Sequence, residues 1–466
     1  MRSHTAQNGT EAKSGEKTVP RSPENDWIAR PTRLLKTRIG QRPAAQIKLM
    51  EDISIVRISD IQFIKMREEW NSLLERSLTN EMFLLWEWIY SWWDVFKDGN
   101  RELYILCGKN SRGEMIGLAP FYLQKSSVLG IVRRHILRLC SSLETYPDHL
   151  DIIATEDYGE SFLEAVLKYL IQNDQDWDLI KLEGVCENSI IKRYLTSAPP
   201  KVKKLLVTSV PDSKCPYLVI DRSFEDYLKS FSAKKRQTLL RKRRVLMNRE
   251  KAVFKKVQRD EEPEKYIREL FALHGERARQ KGIRTTFSGE NLIAFHKKIV
   301  HLLLKDDKVV LAFLYNGFNP LVSYYCIKHN KKVYYYQAGL SQEGERKSAG
   351  TVLFSLLLED AFAEKYKEFD FLRGSEEYKS FWTKNYRENY SIALRKDNVT
   401  NRMAYSLDGL WRYVLSRFHR TYKPGGPNGK AEDREMEHIQ DDHSSTEKII
   451  SSRNSEIDLS SSRDLF

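Results

Sequence analysis

The sequence predicts a mixed α/β fold in which one arrangement of elements occurs twice. Strand-like and helix-like segments alternate from Ile53 to Leu394. The order strand, two helices, hairpin, strand, helix, strand is found in both halves of that stretch. The closing strands of the halves are also comparable, with LIKLEG at residues 179–184 and FDFLRG at residues 369–374. We therefore predict an internal duplication.

The first copy is expected at residues 50–220. It follows a polar, basic stretch at residues 1–49 that is typical of a disordered tail. The aromatic segment FLLWEWIYSWWDVF, residues 83–96, is too short to span a bilayer and predicts a buried or capping helix. Strands are predicted at 53–58, 101–107, 115–123, 136–139, 150–154, 177–182 and 202–207, and the other helices at 61–78, 158–172 and 189–195.

The second copy is expected at residues 221–400. It begins with a long helical region at 224–250 and includes the basic helix 229–251, and Asn316-Gly317 predicts a hairpin turn. Strands are predicted at 252–257, 309–315, 321–328, 333–338, 369–373 and 390–394, and helices at 263–281, 290–304 and 350–366. An amphipathic helix is predicted at 406–420, within a segment that we assign to residues 401–424, and a disordered tail at 425–466.

Residues 331–382 form the most informative stretch. A strand leads into a polar loop at 340–349, then a helix opens near Gly350, and a second strand follows. Free backbone N–H groups and the positive end of the helix dipole make such a helix start suitable for a phosphate or pyrophosphate. Ser-Ala-Gly-Thr is also an ordinary helix start, so simple capping is the alternative.

Composition and charge narrow the choice of partners. The chain has 466 residues, enough for two or three domains, and its net charge of +13 favours anionic partners. No apolar run approaches the roughly 20 residues of a membrane helix, and the N-terminus lacks an apolar secretion signal. The five cysteines form no C-x-x-C pair, which predicts buried thiols in the cytoplasm and no metal site.

Three segments resemble a known family. Residues 368–374 (EFDFLRG), followed by Glu377-Tyr-Lys379 and Trp382, are similar to a signature of the acetyltransferases linked to bacterial cellulose and exopolysaccharide synthesis, the CelD-like family. Residues 231–241 and 273–279 resemble its basic helix and a second helical motif. The order of elements resembles a tandem of GNAT N-acetyltransferase domains, as in the Fem-type aminoacyl transferases.

The resemblance implies acetyl-CoA or another acyl-CoA as donor, bound where the fourth and fifth strands separate. The pyrophosphate loop would be residues 346–351. This loop departs from the GNAT motif because it has one glycine and a shifted spacing. Its candidate donor-binding residues are Arg346, Lys347, Ser348, Ala349, Gly350 and Thr351. The first copy has the acidic sequence Glu156-Asp-Tyr-Gly159 at this position, which predicts that it has lost its own donor site.

Candidate catalytic and acceptor residues follow from the same resemblance. Asp370 would position substrate or take a proton, Tyr378 would protonate the leaving thiolate, and His274 would act as general base. Asp370 in a buried strand also needs a partner, for which Arg373 and Lys379 are candidates. A purely structural role is the alternative for each. Acceptor-binding candidates are Lys235, Arg236, Arg241, Arg277, Arg373 and Lys379.

The region 229–251 is the most basic part of the chain. It contains ten Lys or Arg residues and one acid, Glu250. A solvated helix face, an anion-binding helix beside the acceptor site, and a nucleic-acid contact are the three interpretations. Aromatic residues are not interleaved there, which argues against stacking on single strands. The helix at 406–420 is basic and amphipathic, and would either dock on the protein or contact the surface of the inner membrane.

Together these observations predict a cytoplasmic tandem-GNAT acyltransferase. It would transfer an acetyl or acyl group to an amine or hydroxyl of an anionic, sugar-derived acceptor in exopolysaccharide, cellulose or other cell-envelope polysaccharide synthesis. Two alternatives remain open. One is a Fem-type transferase that uses aminoacyl-tRNA, and the other is an inactive GNAT relative that serves as a binding protein.

Overall fold

The computed structural model describes residues 52–396 except 129–131, 198–204, 283–284, 286 and 375. The tails at 1–49 and 425–466 and the helix at 406–420 lie outside the described residues. The strands are β1 (Ser54–Ile58), β2 (Arg101–Lys109), β3 (Met115–Val128), β4 (Val132–Leu139), β5 (Ile153–Ala154), β6 (Leu179–Cys186), β7 (Leu205–Val219), β8 (Val253–Lys256), β9 (Val309–Asn316), β10 (Asn319–His329), β11 (Lys332–Leu340), β12 (Glu368–Asp370) and β13 (Tyr386–Lys396).

The α-helices surround this set of strands. They are α1 (Asp60–Lys65), α2 (Arg67–Glu75), α3 (Trp86–Phe96), α4 (Gly159–Gln172), α5 (Ile190–Ser197), α6 (Phe224–Lys229), α7 (Ala233–Arg243), α8 (Glu264–Lys281), α9 (Glu290–Leu304), α10 (Gln342–Arg346), α11 (Ala349–Ala363) and α12 (Glu377–Trp382). The mixed α/β class and the repeated order of elements are confirmed.

All the described strands belong to one sheet. Its order is β1-β2-β3-β4-β6-β13-β7-β12-β11-β10-β9-β8, and β5 pairs with β3 beside this path. Neighbours are antiparallel except β4 with β6 and β11 with β12, which are parallel. Each parallel pair brackets the helix that joins its two strands, α4 in the first half and α11 in the second. This is the repeated unit that the sequence predicts.

The last strand of each half lies beside a strand of the other half. β7 pairs with β12 and β13, and β13 lies between β6 and β7. Aromatic packing adds a second connection, because Trp88 of α3 contacts Phe295 of α9 edge-on at 5.0 Å between ring centroids. The sheet therefore runs without a break through the point near residue 220 where we divide the two copies.

Several predicted boundaries are wrong for local reasons. The helix predicted at 61–78 breaks at Met66, whose N–H donates to the carbonyl of Phe63. The region 224–250 is three segments: Ser232 caps α7 through the N–H of Lys235, and Arg244–Arg249 is a π-helix. The strand predicted at 369–373 ends at Asp370, and the loop at 340–349 contains α10.

The core packs on both faces of the sheet. One buried cluster joins α3 and α9 with strands of both halves, and it includes Trp70, Trp88, Trp92 and Phe295. The second cluster lies under α6, α7, α11 and α12, and it includes Phe354, Phe369 and Trp382. The aromatic segment at 83–96 is thus buried, as predicted, and its Phe83 and Trp88 pack edge-on against Tyr336 of β11.

Candidate active site

The fourth strand of each half is interrupted, and the second-half interruption is a single residue. Along β11, Tyr335 pairs with Cys326 and Gln337 pairs with Tyr325, so Tyr336 is an extra residue without a partner on β10. Such a bulge bends the strand and disrupts its ladder. The bend lies at the point where β11 and β12 stop pairing.

β11 and β12 separate after three residue pairs, of which Tyr334 with Asp370 is the last. Beyond it, Leu372 takes a left-handed conformation with φ of 55° and donates its N–H to Asp370 Oδ1 at 2.7 Å. The chain then follows β7, because the N–H of Phe371 donates to the carbonyl of Pro216 at 2.9 Å. Within the described chain, no backbone hydrogen bond joins residues 335–340 to the segment after Asp370. A gap therefore opens between the strands.

The start of α11 lies just beyond the end of β11. Ser341 caps the short helix α10, and Ser348, with φ of 56°, turns the chain into α11. Among the described residues, the N–H groups of Ala349, Gly350 and Thr351 have no hydrogen-bond acceptor, as is usual in a first helical turn. These groups give the gap a partly positive end.

The two cations of the loop differ in their surroundings. Lys347 forms ion pairs with Glu250 and with Glu343, the latter at 3.1 Å, and these contacts raise the pKa of Lys347. Arg346 is exposed, and no ion pair of its side chain occurs among the described residues. Lys347 therefore ties the loop to the end of the basic region, while Arg346 is available to a ligand.

Three tyrosines and one arginine form a wall beside this helix start. Tyr324 donates its hydroxyl to the carbonyl of Gly350 at 2.8 Å, and its ring packs edge-on against Tyr335. Burial raises the pKa of Tyr378 far above its usual value, and nearby Arg277 partly opposes that rise. Tyr378 is thus protonated at neutral pH. Arg277 is half-buried and makes no ion pair within the described part of the chain.

His274 lies on the same helix as Arg277, three residues before it, where α8 packs against β11. Its Nδ1 lies 2.7 Å from Thr285 Oγ1, and its Nε2 lies 3.1 Å from Gln337 Oε1. Burial lowers the pKa of His274 to about 4, so the ring is neutral at pH 7. The ring has the protonation state of a general base, but both nitrogens are engaged. Its catalytic role stays a prediction.

Asp370 is paired with a residue that the sequence did not suggest. Its carboxylate lies 3.0 Å from Nε2 of His149, and both side chains are fully buried. Burial raises the pKa of Asp370, but the imidazolium of His149, together with Arg387 3.8 Å away and the N–H of Leu372, more than offsets this and leaves it below its usual value. The same pairing raises the pKa of His149 despite its burial. The expectation that Arg373 or Lys379 pairs with Asp370 is therefore wrong.

Arg373 and Lys379 instead hold the loop that follows β12. Arg373 Nε donates to Asp148 Oδ1 at 2.8 Å and its Nη2 donates to the carbonyl of Pro147 at 2.9 Å. Lys379 is buried, and its ammonium donates to the carbonyl of Arg373 at 2.5 Å and pairs with Glu376 at 2.9 Å. Both cations are engaged within the protein, because a buried charge needs such partners.

The partners of this loop come from the first half. Residues 140–152 leave the line of β4, and three of them, Ser141, Tyr146 and His149, have positive φ. Asn389 of β13 fixes the segment by donating to Asp148 Oδ1 at 2.6 Å. We name residues 140–152 the excursion. Asp148 and His149 belong to no recognisable motif. The feature of the sequence that could have indicated their role is a polar, ionisable pair directly before an apolar strand.

The basic region lies beside α11 and α12. Lys235 donates to the carbonyl of Phe381 and lies 3.6 Å from the ring of Phe231, and burial lowers its pKa. Arg236 is half-buried and Arg241 is exposed, and within the described residues neither side chain has an acidic partner. Lys235 is thus part of the packing, whereas the two arginines can meet an anion.

Two kinds of feature are absent from the described residues. None of their helices is long and apolar enough to cross a membrane. No group of three or more His, Cys, Asp or Glu side chains there is arranged to hold a metal ion.

The site just described belongs to a recognised kind of domain. Residues 233–380 match the family model described as acetyltransferase (GNAT) domain. No curated protein is significantly similar to this chain. The match covers the basic region, the gap, the start of α11 and α12, so the second half carries a GNAT acetyltransferase domain. That domain places the chain among the acyltransferases.

Solved structures resemble the chain over a longer stretch. FemX has a TM-score of 0.52 and 11% sequence identity, covering 72% of this chain and 96% of its own. L-PGS from Bacillus licheniformis has a TM-score of 0.44 and 13% identity, covering 75% and 96%. A tandem GNAT protein from the clavulanic acid biosynthesis pathway has a TM-score of 0.40 and 8% identity, covering 74% and 99%. The likeness to FemX shows a shared fold across both halves.

Proposed function

We propose that this protein transfers an acyl group from acyl-CoA to an amine or hydroxyl of an anionic, sugar-derived acceptor. The observation that carries the proposal is the gap between β11 and β12, which opens at the Tyr336 bulge beside the free N–H groups of α11. The diphosphate of acyl-CoA would bind at Ala349, Gly350 and Thr351 with Arg346 beside it. The acyl thioester would then lie in the gap.

In this reaction the protein would orient the two substrates and transfer protons. The acceptor nitrogen or oxygen attacks the thioester carbonyl, and the tetrahedral intermediate collapses with the CoA thiolate as leaving group. Tyr378 is protonated at neutral pH, the state that a proton donor to the thiolate requires. Because Nε2 of the neutral ring donates to Gln337 Oε1, the lone pair of His274 is on Nδ1, which would accept the proton of the acceptor after giving up its contact with Thr285.

The acceptor would enter past Arg277 and the basic helix α7. Arg277, Arg236 and Arg241 are cations without acidic partners in the described chain, and a guanidinium matches phosphate or carboxylate with two parallel hydrogen bonds. An anionic sugar derivative fits this surface. A role in exopolysaccharide or cellulose synthesis follows from the resemblance of residues 368–382 to the CelD-like family.

Isothermal titration calorimetry of the full-length chain with acetyl-CoA tests whether acyl-CoA is the donor. We expect one acetyl-CoA per chain, and about tenfold weaker binding in Arg346→Ala, because a charge-assisted contact to phosphate is lost. Arg241→Ala is the matched control, since it removes an exposed arginine outside the loop and should leave the affinity unchanged. The absence of detectable heat at millimolar acetyl-CoA would contradict acyl-CoA chemistry.

An aminoacyl-tRNA donor is the second candidate, and the unpaired cations of α7 favour it. Binding of tRNA that falls steeply with salt and is lost in Arg236→Ala with Arg241→Ala would support it. Lys235 is the weaker choice for this test, because its replacement would also disturb the contact with Phe381.

A further inference from the structure

A hairpin tip at one edge of the sheet exposes an entire aromatic side chain. The turn between β9 and β10 is closed by the pair Asn316 with Asn319, and Phe318 within it is 100% exposed. A single exposed apolar residue needs no explanation. Here, however, the phenyl ring at the end of the hairpin has its whole surface in water and is not the sole exposed apolar residue at this end of the sheet.

A second exposed apolar residue lies at the same end of the sheet. Val253, the first residue of β8, pairs with Tyr315, the residue next to the hairpin turn, and Val253 is 57% exposed. The start of β8 therefore lies next to the hairpin tip. β8 is the last strand of the sheet, so Val253 is on its outer edge, and Phe318 is in the turn at the end of the neighbouring hairpin.

The chain brings cations to this edge immediately before β8. Arg249 and Lys251 are exposed, and neither has an acidic partner among the described residues. The nearby carboxylates Glu250 and Glu343 are both bound to Lys347. Glu345, on α10, is exposed. We name Phe318, Val253, Arg249 and Lys251 the tip patch.

We propose that the tip patch docks on an anionic lipid surface. Phe318 and Val253 would enter the boundary between headgroups and acyl chains, while Arg249 and Lys251 would stay at the level of the lipid phosphates. The combination of a projecting aromatic ring with flanking cations matches the two parts of such a surface. A stable protein partner would need about 800 Å² of contact on each side, and two apolar side chains fall well short of that.

Docking in this way would bring the candidate active site to the membrane. The side-chain amide of Asn316 donates to Glu343 Oε1 at 3.1 Å and so connects the hairpin tip to α10, directly before α11. This consequence rests on the proposed function: the acceptor would then be a lipid-linked anionic sugar presented at the bilayer surface. The docking itself does not depend on which reaction the gap performs.

Co-sedimentation of the full-length chain with vesicles tests the proposal. We expect binding to vesicles of phosphatidylglycerol and phosphatidylcholine, and none to phosphatidylcholine alone. Phe318→Ser should lower the partition coefficient about tenfold, because the buried apolar area of the ring is lost. Arg249→Glu with Lys251→Glu should lower it about thirtyfold at moderate salt.

The matched controls lie at the opposite edge of the sheet. Lys65→Glu with Lys109→Glu gives the same net charge, and Ile61→Ser removes an exposed apolar residue of α1. These controls should bind vesicles like the unaltered protein. The tip variants should also keep the acetyl-CoA affinity of the unaltered protein, which separates this test from that of the proposed function.

Three results would overturn the proposal. The first is an absence of binding to anionic vesicles, and the second is equal loss in the tip variants and in the charge-matched control. The third is that replacement of Arg249 and Lys251 abolishes tRNA binding and leaves vesicle binding unchanged.

Discussion

The two halves interrupt the same strand in different ways. In the second half, the break in β11 is one residue, Tyr336. In the first half, β4 ends at Leu139 opposite Phe121, and the ladder on β3 resumes with β5 at Ile153 opposite Leu118. The whole excursion, residues 140–152, stands where the second half has a single bulge. One topological position thus carries a small defect in one copy and a long loop in the other.

The consequence for the neighbouring gap is opposite in the two halves. β4 and β6 separate after Arg138 and Lys181, but the excursion returns, and the N–H of Leu150 donates to the carbonyl of Gly184 at 2.8 Å. Gly184 allows this approach, because a Cβ there would lie 2.4 Å from the carbonyl oxygen of Pro147. The first gap is therefore filled by the chain's own backbone, while the second has no such segment among the described residues.

The excursion also supports the open gap. His149 pairs with Asp370, and Asp148 pairs with Arg373, at the two ends of the turn that directs the chain away from β11. In the first half, the excursion thus supplies contacts that hold the turn beside the gap of the second half. In a duplicated fold, one copy can form the open gap while the other copy supports it.

The largest test of this division is to separate the halves. Residues 221–396 expressed alone should show no cooperative unfolding transition, since β13 then lacks both of its partners and β12 loses β7. Co-expression with residues 52–220 should restore a folded complex. Circular dichroism with thermal melting and size-exclusion chromatography would measure both outcomes. A cooperative transition in the isolated second fragment would break the comparison.

The sequence predicted the duplication because each copy keeps its own periodicity and turns. It could not predict that β7, from the first half, pairs with β12 and β13, or that β13, from the second half, pairs with β6 and β7. Strand pairing depends on contacts between residues about 180 positions apart, and an antiparallel strand fits the neighbouring sheet edge of either copy equally well by its apolar pattern. The division near residue 220 is a natural reading of the pattern, and it falls just after the strand that joins the halves.

The candidate site was predicted in part for similar reasons. The start of α11 is local, so the sequence alone predicted a helix that begins near Gly350, while the donor-binding role of residues 346–351 stays a prediction. Asp370 was recognised as a buried acid that needs a partner, but its partner is 221 positions away, in the excursion. A family signature marks positions without giving their contacts. Here Asp370, Arg373 and Lys379 shape the gap from below its surface.

The second-largest effect is expected from His149→Ala. Removal of His149 leaves the fully buried Asp370 with Arg387, 3.8 Å away, as its remaining charged partner, so the free energy of unfolding should fall by about 3–5 kcal/mol. Chemical denaturation would measure it. Lys168→Ala, which breaks a surface pair with Glu164, is the control and should change stability by less than about 0.5 kcal/mol.

A second variant distinguishes loss of the charge pair from the effect of the cavity that His149→Ala creates. His149→Ala combined with Asp370→Asn removes both charges and should recover part of the loss, because no unpaired carboxylate remains. If the double variant is as unstable as the sum of its parts, the pair carries no coupling, and the excursion does not support the gap through it.

The same pair predicts a pH dependence. The raised pKa of His149 means that its contribution is complete below its unfolded pKa of about 6.5 and is lost as pH rises through its folded value. The lowered pKa of Asp370 means that its contribution is present above about 4 and is lost in acid. The pair should therefore stabilise most between about pH 4 and 6.5.

The stability difference between the unaltered protein and His149→Ala isolates this effect. It should shrink from neutral pH upward, by at most about 1.4 kcal/mol for each pH unit. Denaturation curves recorded between about pH 5 and 9 would measure this difference. The range extends on both sides of the unfolded pKa of histidine. A difference that grows with pH would mean that His149 is neutral in the folded protein.

The smallest effect concerns the backbone of the excursion. Tyr146 is exposed at 54% and has φ of 44°, a conformation that costs a residue with a side chain about 1–2 kcal/mol. Tyr146→Gly should therefore be more stable than Tyr146→Ala by about 1 kcal/mol, although Gly usually ranks below Ala. At Lys168 in α4 the order should reverse, with Ala about 1 kcal/mol above Gly. Thermal unfolding of the four variants would measure both signs. If Ala is also favoured at position 146, the excursion relaxes when Tyr146 is removed, and its left-handed path is a property of that side chain rather than of the contacts with the second half.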